Sequence, residues 1–255
     1  MKRMLPYFSD DFGNAGSIHR EGQVANNAVE DARLSIARVL GIRPPEVVFT
    51  ASGTEANNLA IYGYIRSLIE DQDVDFSKLE IISTKIEHPS ILEVLTHLEQ
   101  QGVSIKYIEV DKEGHIDLQS LKKLLSLNTV LVTFAYANSE IGTVQDVKKI
   151  SRVIRKFSTE NDLDIKIHLD ASQAPLWLPC QMLSFGIDMM TLDAGKCEGP
   201  KGIGVLAVRK QTALKGFVLG GGQEYGLRAG TENTPLIVGA SAAIVRAQES
   251  WQSNR

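Results

Sequence analysis

Apolar positions along this chain follow two periods in alternation. Short apolar or β-branched runs at 46–50, 80–84, 104–110, 129–134, 166–169, 187–192 and 204–208 read as strands. Between them the period becomes helical. Residues 23–40 place Ala28, Ala32, Ile36, Val39 and Leu40 on one stripe, and Gly41 with Pro44 and Pro45 stops that helix. Further helices are expected at 54–69 and 90–101. Asp117 caps one that carries Leu118, Leu121, Leu124 and Leu125, and 146–157 turns Val147, Ile150, Ile154 and Phe157 inward. The last helix runs from Pro235 to about Arg255, with proline in its first turn. Such alternation predicts an α/β fold on a mostly parallel, doubly wound sheet. No internal repeat or low-complexity linker divides the 255 residues.

The polar signals fall mainly after the strands, on one edge of such a sheet, where ligands bind. Thr50-Ala51-Ser52-Gly53-Thr54-Glu55 joins a strand to a helix N-terminus. Free N–H groups, the helix dipole and two hydroxyls make that turn a ready anion site. It reads equally well as a plain N-cap by Ser52 or Thr54, with Glu55 in the first turn. His88 follows the second strand in Glu87-His88-Pro89-Ser90, and Tyr136 to Gly142 follows the fourth. Asp170 closes the fifth strand, where an acid needs a cation or hydrogen-bond donors to offset its burial. Lys196 stands between Gly195 and Gly199 in the stretch Asp193 to Gly202. Held away from bulk water, such a lysine can lose its proton and act as a nucleophilic amine. A glycine-rich, unpatterned stretch, Gly220-Gly221-Gly222-Gln223-Glu224 followed by Arg228-Ala229-Gly230-Thr231-Glu232-Asn233, completes the set.

Composition changes this picture little. A hydrophobic fraction of 43% and a charged fraction of 23% are ordinary for a soluble globular chain. The net charge of −4 provides no footprint for nucleic acid or an anionic membrane. No apolar run spans a bilayer and no secretory signal is read at the start. Cys180 and Cys197 form no disulfide framework, which suits a reducing cytoplasm, and both read as small buried hydrophobes.

A Schiff-base lysine, an acid for a pyridinium nitrogen and a phosphate-binding helix N-terminus are together the demands of pyridoxal 5'-phosphate. A P-loop is disfavoured, because Gly199-Pro200-Lys201-Gly202 does not fit GxxxxGK[ST], and no GxGxxG follows the first strand. The chain resembles the cysteine desulfurase family, in the class-V branch of fold-type-I pyridoxal phosphate enzymes. The resemblance runs almost end to end. Its most specific carriers are Arg228 to Asn233 and the pairing of Ser52 to Asn58 with the lysine loop.

The resemblance implies a three-layer α/β/α large domain over residues 1–255. The family's N-terminal segment and small C-terminal domain are expected to be absent, with the persulfide-forming cysteine in the latter. Lys196 would carry the cofactor and move a proton at the substrate Cα. His88 would stack on the ring and assist that transfer. Asp170 would pair with the ring nitrogen, Gln173 with the phenolic oxygen, and Gly53 and Thr54 with the phosphate. Thr231 would reach the phosphate of a partner subunit, implying a homodimer. The family reaction takes sulfur from L-cysteine, leaving alanine and an enzyme persulfide, for a sulfur-acceptor or scaffold protein in iron–sulfur cluster assembly or for tRNA thiolation. No metal is expected. The alternatives are a selenocysteine lyase or other class-V lyase or aminotransferase, and a cofactor-free binding or scaffold paralogue. The family's Ser-Gly-His before the lysine is here Asp193-Ala194-Gly195, and Ser139 replaces an asparagine. A carboxylate repels phosphate, so Asp193 is expected to point away from the anion site or to be hydrogen-bonded elsewhere.

Overall fold

The structure, a computed structural model, describes residues 1–254. Seven strands form one sheet: β1 (Val47–Thr50), β2 (Glu80–Ser83), β3 (Ser104–Tyr107), β4 (Thr129–Ala135), β5 (Lys166–Asp170), β6 (Met189–Asp193) and β7 (Gly204–Val208). Their order is β1-β7-β6-β5-β4-β2-β3. β7 is antiparallel to β1 and β6, and the remaining pairings are parallel. The strands other than β7 therefore end on one edge, as the sequence pattern requires.

Helices cover both faces. They are α1 (Arg20–Leu40), α2 (Gly53–Gln72), α3 (Pro89–Gln100), α4 (Leu118–Leu124), α5 (Val147–Glu160), α6 (Met182–Phe185) and α7 (Thr234–Ser250). Two separate apolar cores result. One joins α1, α4, α5, α6 and α7 to alternate strand residues such as Phe49, Phe134, Leu169 and Leu192. The other joins α2 and α3 to the intervening residues, among them Val48, Leu131 and Met189. Successive strand side chains point to opposite faces. In β5, Ile167 and Leu169 therefore serve the first core, while His168 and Asp170 turn toward α2.

Several element ends differ from the pattern. α1 begins at Arg20 because His19 caps it, its Nδ1 accepting the Gly22 N–H at 3.2 Å. The run at 104–110 is a strand only to Tyr107. Asp111 then folds the chain back by accepting the N–H groups of Glu113 and His115, and Val110 keeps a single bridge to Ile116. The last helix ends at Ser250 and passes into a 3-10 turn, Trp251–Asn254; its expected end at Arg255 lies outside the described residues. No helix among the described residues is long and apolar enough to cross a membrane.

Candidate active site

A cavity of about 410 Å³ opens at the edge where the parallel strands end. The turns after β1, β2, β4, β5 and β6 wall it. It brings together Gly53, Thr54, His88, Asp170, Gln173 and Lys196, six of the residues singled out from the sequence. Thr231 is not among them. It lines a second cavity of about 240 Å³ with Glu224 and Arg228.

Asp170 ends β5 and is 8% exposed. Among the described residues, hydrogen bonds and no cation hold its carboxylate. Oδ1 accepts the Ser172 N–H at 3.0 Å and the Ser172 hydroxyl at 2.6 Å, and Oδ2 accepts an Asn57 N–H at 2.9 Å. The second Asn57 N–H donates to Ser90 Oγ at 2.8 Å. That hydroxyl donates to His88 Nδ1 at 2.8 Å, and the Ser90 N–H reaches the same nitrogen at 3.1 Å. A nitrogen that accepts carries no proton, so the network assigns neutral His88 its proton on Nε2. Asp170 and His88 are thus tied through two side chains that sequence reasoning left without a role. Ser90→Ala should leave Nδ1 with one donor and let the Nδ1–H form appear. Two-dimensional 15N spectra of the imidazole should show one tautomer in wild type and a mixture in the variant. A wild-type Nδ1–H pattern would contradict the network.

Glu87, next to His88, has no sequence signal for a role of its own. It lines the cavity and is buried, with Oε1 accepting the Thr84 hydroxyl at 2.6 Å. Burial pushes its carboxyl up to about 8, and the Asp170 charge acts in the same direction against the Thr84 hydrogen bond. His168 lies behind Asp170, fully buried between the Thr133 and Thr191 hydroxyls at 2.8 and 3.0 Å. Burial holds it down to about 4, so it is neutral near pH 7 and serves to fill the sheet.

The anion turn departs most from expectation. Ser52 is the N-cap of α2, and its hydroxyl accepts the Glu55 N–H at 3.1 Å. The N–H of Gly53 donates to Asp193 Oδ2 at 3.0 Å, while Asp193 Oδ1 accepts the Gly195 N–H at 2.8 Å. Asp193 therefore points into the turn instead of away from it. The positive end of a 20-residue helix attracts the nearest carboxylate, and the end of β6 provides one. Close packing brings the segments together: a Cβ on Gly204 of β7 would lie 2.3 Å from the Ser52 carbonyl carbon, so only glycine fits there.

Lys196 ends a 3-10 turn, Ala194–Lys196, and is exposed at the cavity mouth rather than shielded from water. Its neighbour Cys197 is buried and lines a different cavity with Leu176 and Trp177. Burial pushes the Cys197 thiol up to about 12 and that of Cys180 higher still, which suits inert core residues.

The aminotransferase class-V family model matches residues 1–254. A cysteine desulfurase IscS of Dictyoglomus turgidum is 38% identical over 241 residues, which is 94% of this chain and 58% of that protein. A cysteine desulfurase IscS 1 of Archaeoglobus fulgidus is 36% identical, over 98% of this chain and 62% of its own length. Among solved structures, one described as a NifS-like protein superposes with a TM-score of 0.93 at 35% identity, covering 99% of this chain and 66% of the other. Another, described as SspA in complex with cysteine, has a TM-score of 0.86 at 39% identity, with 95% and 67% covered. The chain spans about three-fifths of the length of the curated relatives it matches.

Proposed function

Because the chain belongs to the aminotransferase class-V family, we propose that its cavity holds pyridoxal 5'-phosphate for the removal of sulfur from L-cysteine. The convergence of Lys196, Asp170, Gln173 and His88 on one cavity carries this reading. The residues fit the ring end of the cofactor. Asp170 is held by neutral donors alone, which leaves its charge available to a protonated ring nitrogen. Gln173 and His88 line the same cavity, where Gln173 would meet the phenolic oxygen and His88 the ring. At the phosphate end Thr54 lines the wall, but Asp193 takes the Gly53 N–H.

When bound, the cofactor supplies the electron sink that allows a proton to leave the substrate Cα. Lys196 Nζ is the base that takes that proton and returns it. The Asp170 carboxylate keeps the ring nitrogen protonated, and Glu87 keeps its own proton near neutral pH, so the two acids do not repel. Thr231, outside this cavity, serves the phosphate of the second subunit in a homodimer. Cys180 and Cys197 are not sulfur acceptors, since both thiols are buried and protonated. A sulfur-acceptor or scaffold protein in a reducing, cytoplasmic setting completes the reading, which the cysteine-bound relative supports for substrate class alone.

The test is spectroscopic. Purified protein mixed with pyridoxal 5'-phosphate should develop the visible band of a lysine-bound pyridoxal. Borohydride should then fix the cofactor on the peptide containing Lys196. Lys196→Ala should lose both signals entirely. No band in wild type, or an undiminished one in the variant, overturns the proposal.

A further inference from the structure

The Asp193 carboxylate stands where a phosphate entering this cavity would seek its donors. The free N–H groups at the start of a helix, with the helix dipole behind them, favour one anion. In this chain that anion is already covalently present. Asp193 bridges the Gly53 and Gly195 N–H groups at 3.0 and 2.8 Å and lies on the same cavity wall as Lys196. The backbone at Gly53 is closely packed against it. A Cβ built on Gly53 would come within 3.1 Å of both Asp193 Oδ2 and Ser172 Oγ. The turn itself cannot retreat, because Gly204 of β7 packs against the Ser52 carbonyl and the Gly53 nitrogen at distances that exclude even a methyl group. A second anion that is to take the Gly53 N–H therefore has to displace the Asp193 side chain, against like-charge repulsion and the loss of charge-assisted hydrogen bonds.

We propose that Asp193 is a specificity-determining residue that fills the anion position at the α2 N-terminus, so that the cavity takes pyridoxal-type aldehydes with little preference for the phosphorylated form. The inference rests on the cofactor reading above and deepens it by naming the class of aldehyde. The ring end is unaffected. Lys196, Asp170 and His88 meet the aldehyde and ring nitrogen in either form. What Asp193 removes is the additional affinity that a free helix N-terminus gives to phosphate.

The experiment compares pyridoxal 5'-phosphate with pyridoxal on the 255-residue chain. Binding is followed by visible absorbance and by borohydride fixation on Lys196, with no turnover involved. Wild type should bind the two aldehydes with dissociation constants within about tenfold of each other. Asp193→Ser, which frees the Gly53 N–H, should tighten the phosphorylated aldehyde by about tenfold or more and leave pyridoxal within about threefold. Asp193→Asn keeps an oxygen acceptor for the local fold while removing the charge, and should shift the ratio in the same direction. Thermal melts followed by circular dichroism would confirm that both variants fold. A wild type that already prefers the phosphorylated aldehyde by about a hundredfold or more, with a ratio unchanged in both variants, overturns the role of Asp193 and leaves the cofactor reading standing. The absence of any lysine-bound band with either aldehyde, in wild type and variants alike, overturns both.

Discussion

Arg33→Ala lowers the unfolding free energy by about 3–5 kcal/mol, the cost of stranding one member of a buried ion pair. Arg33 and Glu224 are 4% and 2% exposed at their side chains and meet through two parallel hydrogen bonds of 2.9 and 2.8 Å. The same guanidinium donates to the Val47 carbonyl at 2.7 Å, and Glu224 Oε2 accepts the Phe49 N–H at 2.7 Å. Arg33 also lies over the rings of Phe49 and Tyr225, at 4.9 and 5.2 Å from their centroids. The pair therefore ties α1, the outer strand β1 and the loop after β7 into one unit. Glu224 and Tyr225 adopt left-handed backbone angles, φ 48° and 60°, which non-glycine residues keep only when tertiary contacts hold them. Removing the arginine leaves a carboxylate unpaired in the core and releases that loop, which leads on to Thr231. Urea denaturation of wild type, Arg33→Ala and the double variant Arg33→Met with Glu224→Leu measures this. The double variant should recover most of the loss, because neither charge is then stranded. A loss below about 1 kcal/mol in Arg33→Ala would rule out a structural role of this size.

Glu87→Gln should stabilise the protein above neutral pH and change little in acid. The folded carboxyl, raised to about 8 chiefly by burial, stands above its ordinary value of 4.5. Between those limits the folded state keeps a proton that the unfolded chain has released, so stability falls as pH rises through this window and stays reduced above it. The gap corresponds to roughly 5 kcal/mol at full ionisation, by 1.36 kcal/mol per unit. The glutamine amide oxygen of the variant can still accept the Thr84 hydrogen bond, and the amide carries no charge beside Asp170. Glutamine does not titrate, so the wild-type deficit relative to the variant should grow from about 1 kcal/mol at pH 5 to roughly 3–5 kcal/mol at pH 9. His168, held neutral by burial, costs stability in the opposite direction as pH falls below 6.5. Both proteins share that cost, and it cancels in the comparison at each pH. Urea midpoints at pH 5, 7 and 9 provide the readout, and a difference that does not change with pH would sink the assignment.

Much of the site was legible because of where its residues fall in the strand–helix alternation. His88, Asp170 and Lys196 each lie at or just past the end of a strand, and parallel strands deliver their C-terminal turns to one edge. The two readings of the Ser52–Glu55 turn were resolved only by the fold. Ser52 caps the helix and Gly53 offers the N–H group, so both readings describe part of the same turn. The sequence points to Lys196 but not to its surroundings. A glycine-flanked turn predicts close approach of the backbone, but it does not say whether the side chain ends in the cavity or at its mouth.

Hydrophobic period, turn residues and caps act within a few positions of one another, and they determined the seven strands, the long helices and the edge on which the chemistry gathers. The tertiary structure alone decided which distant polar groups meet. Asn57 reaches Asp170, 113 positions away, Arg33 reaches Glu224 across 191, and Asp193 reaches back 140 positions to the Gly53 N–H. No local pattern encodes such pairs. Each exists because a buried or helix-terminal polar group must find a partner among whatever the packed sheet brings within hydrogen-bonding distance. For Asp193 that requirement outweighed the expectation from charge alone and set the chain's own carboxylate on the Gly53 N–H.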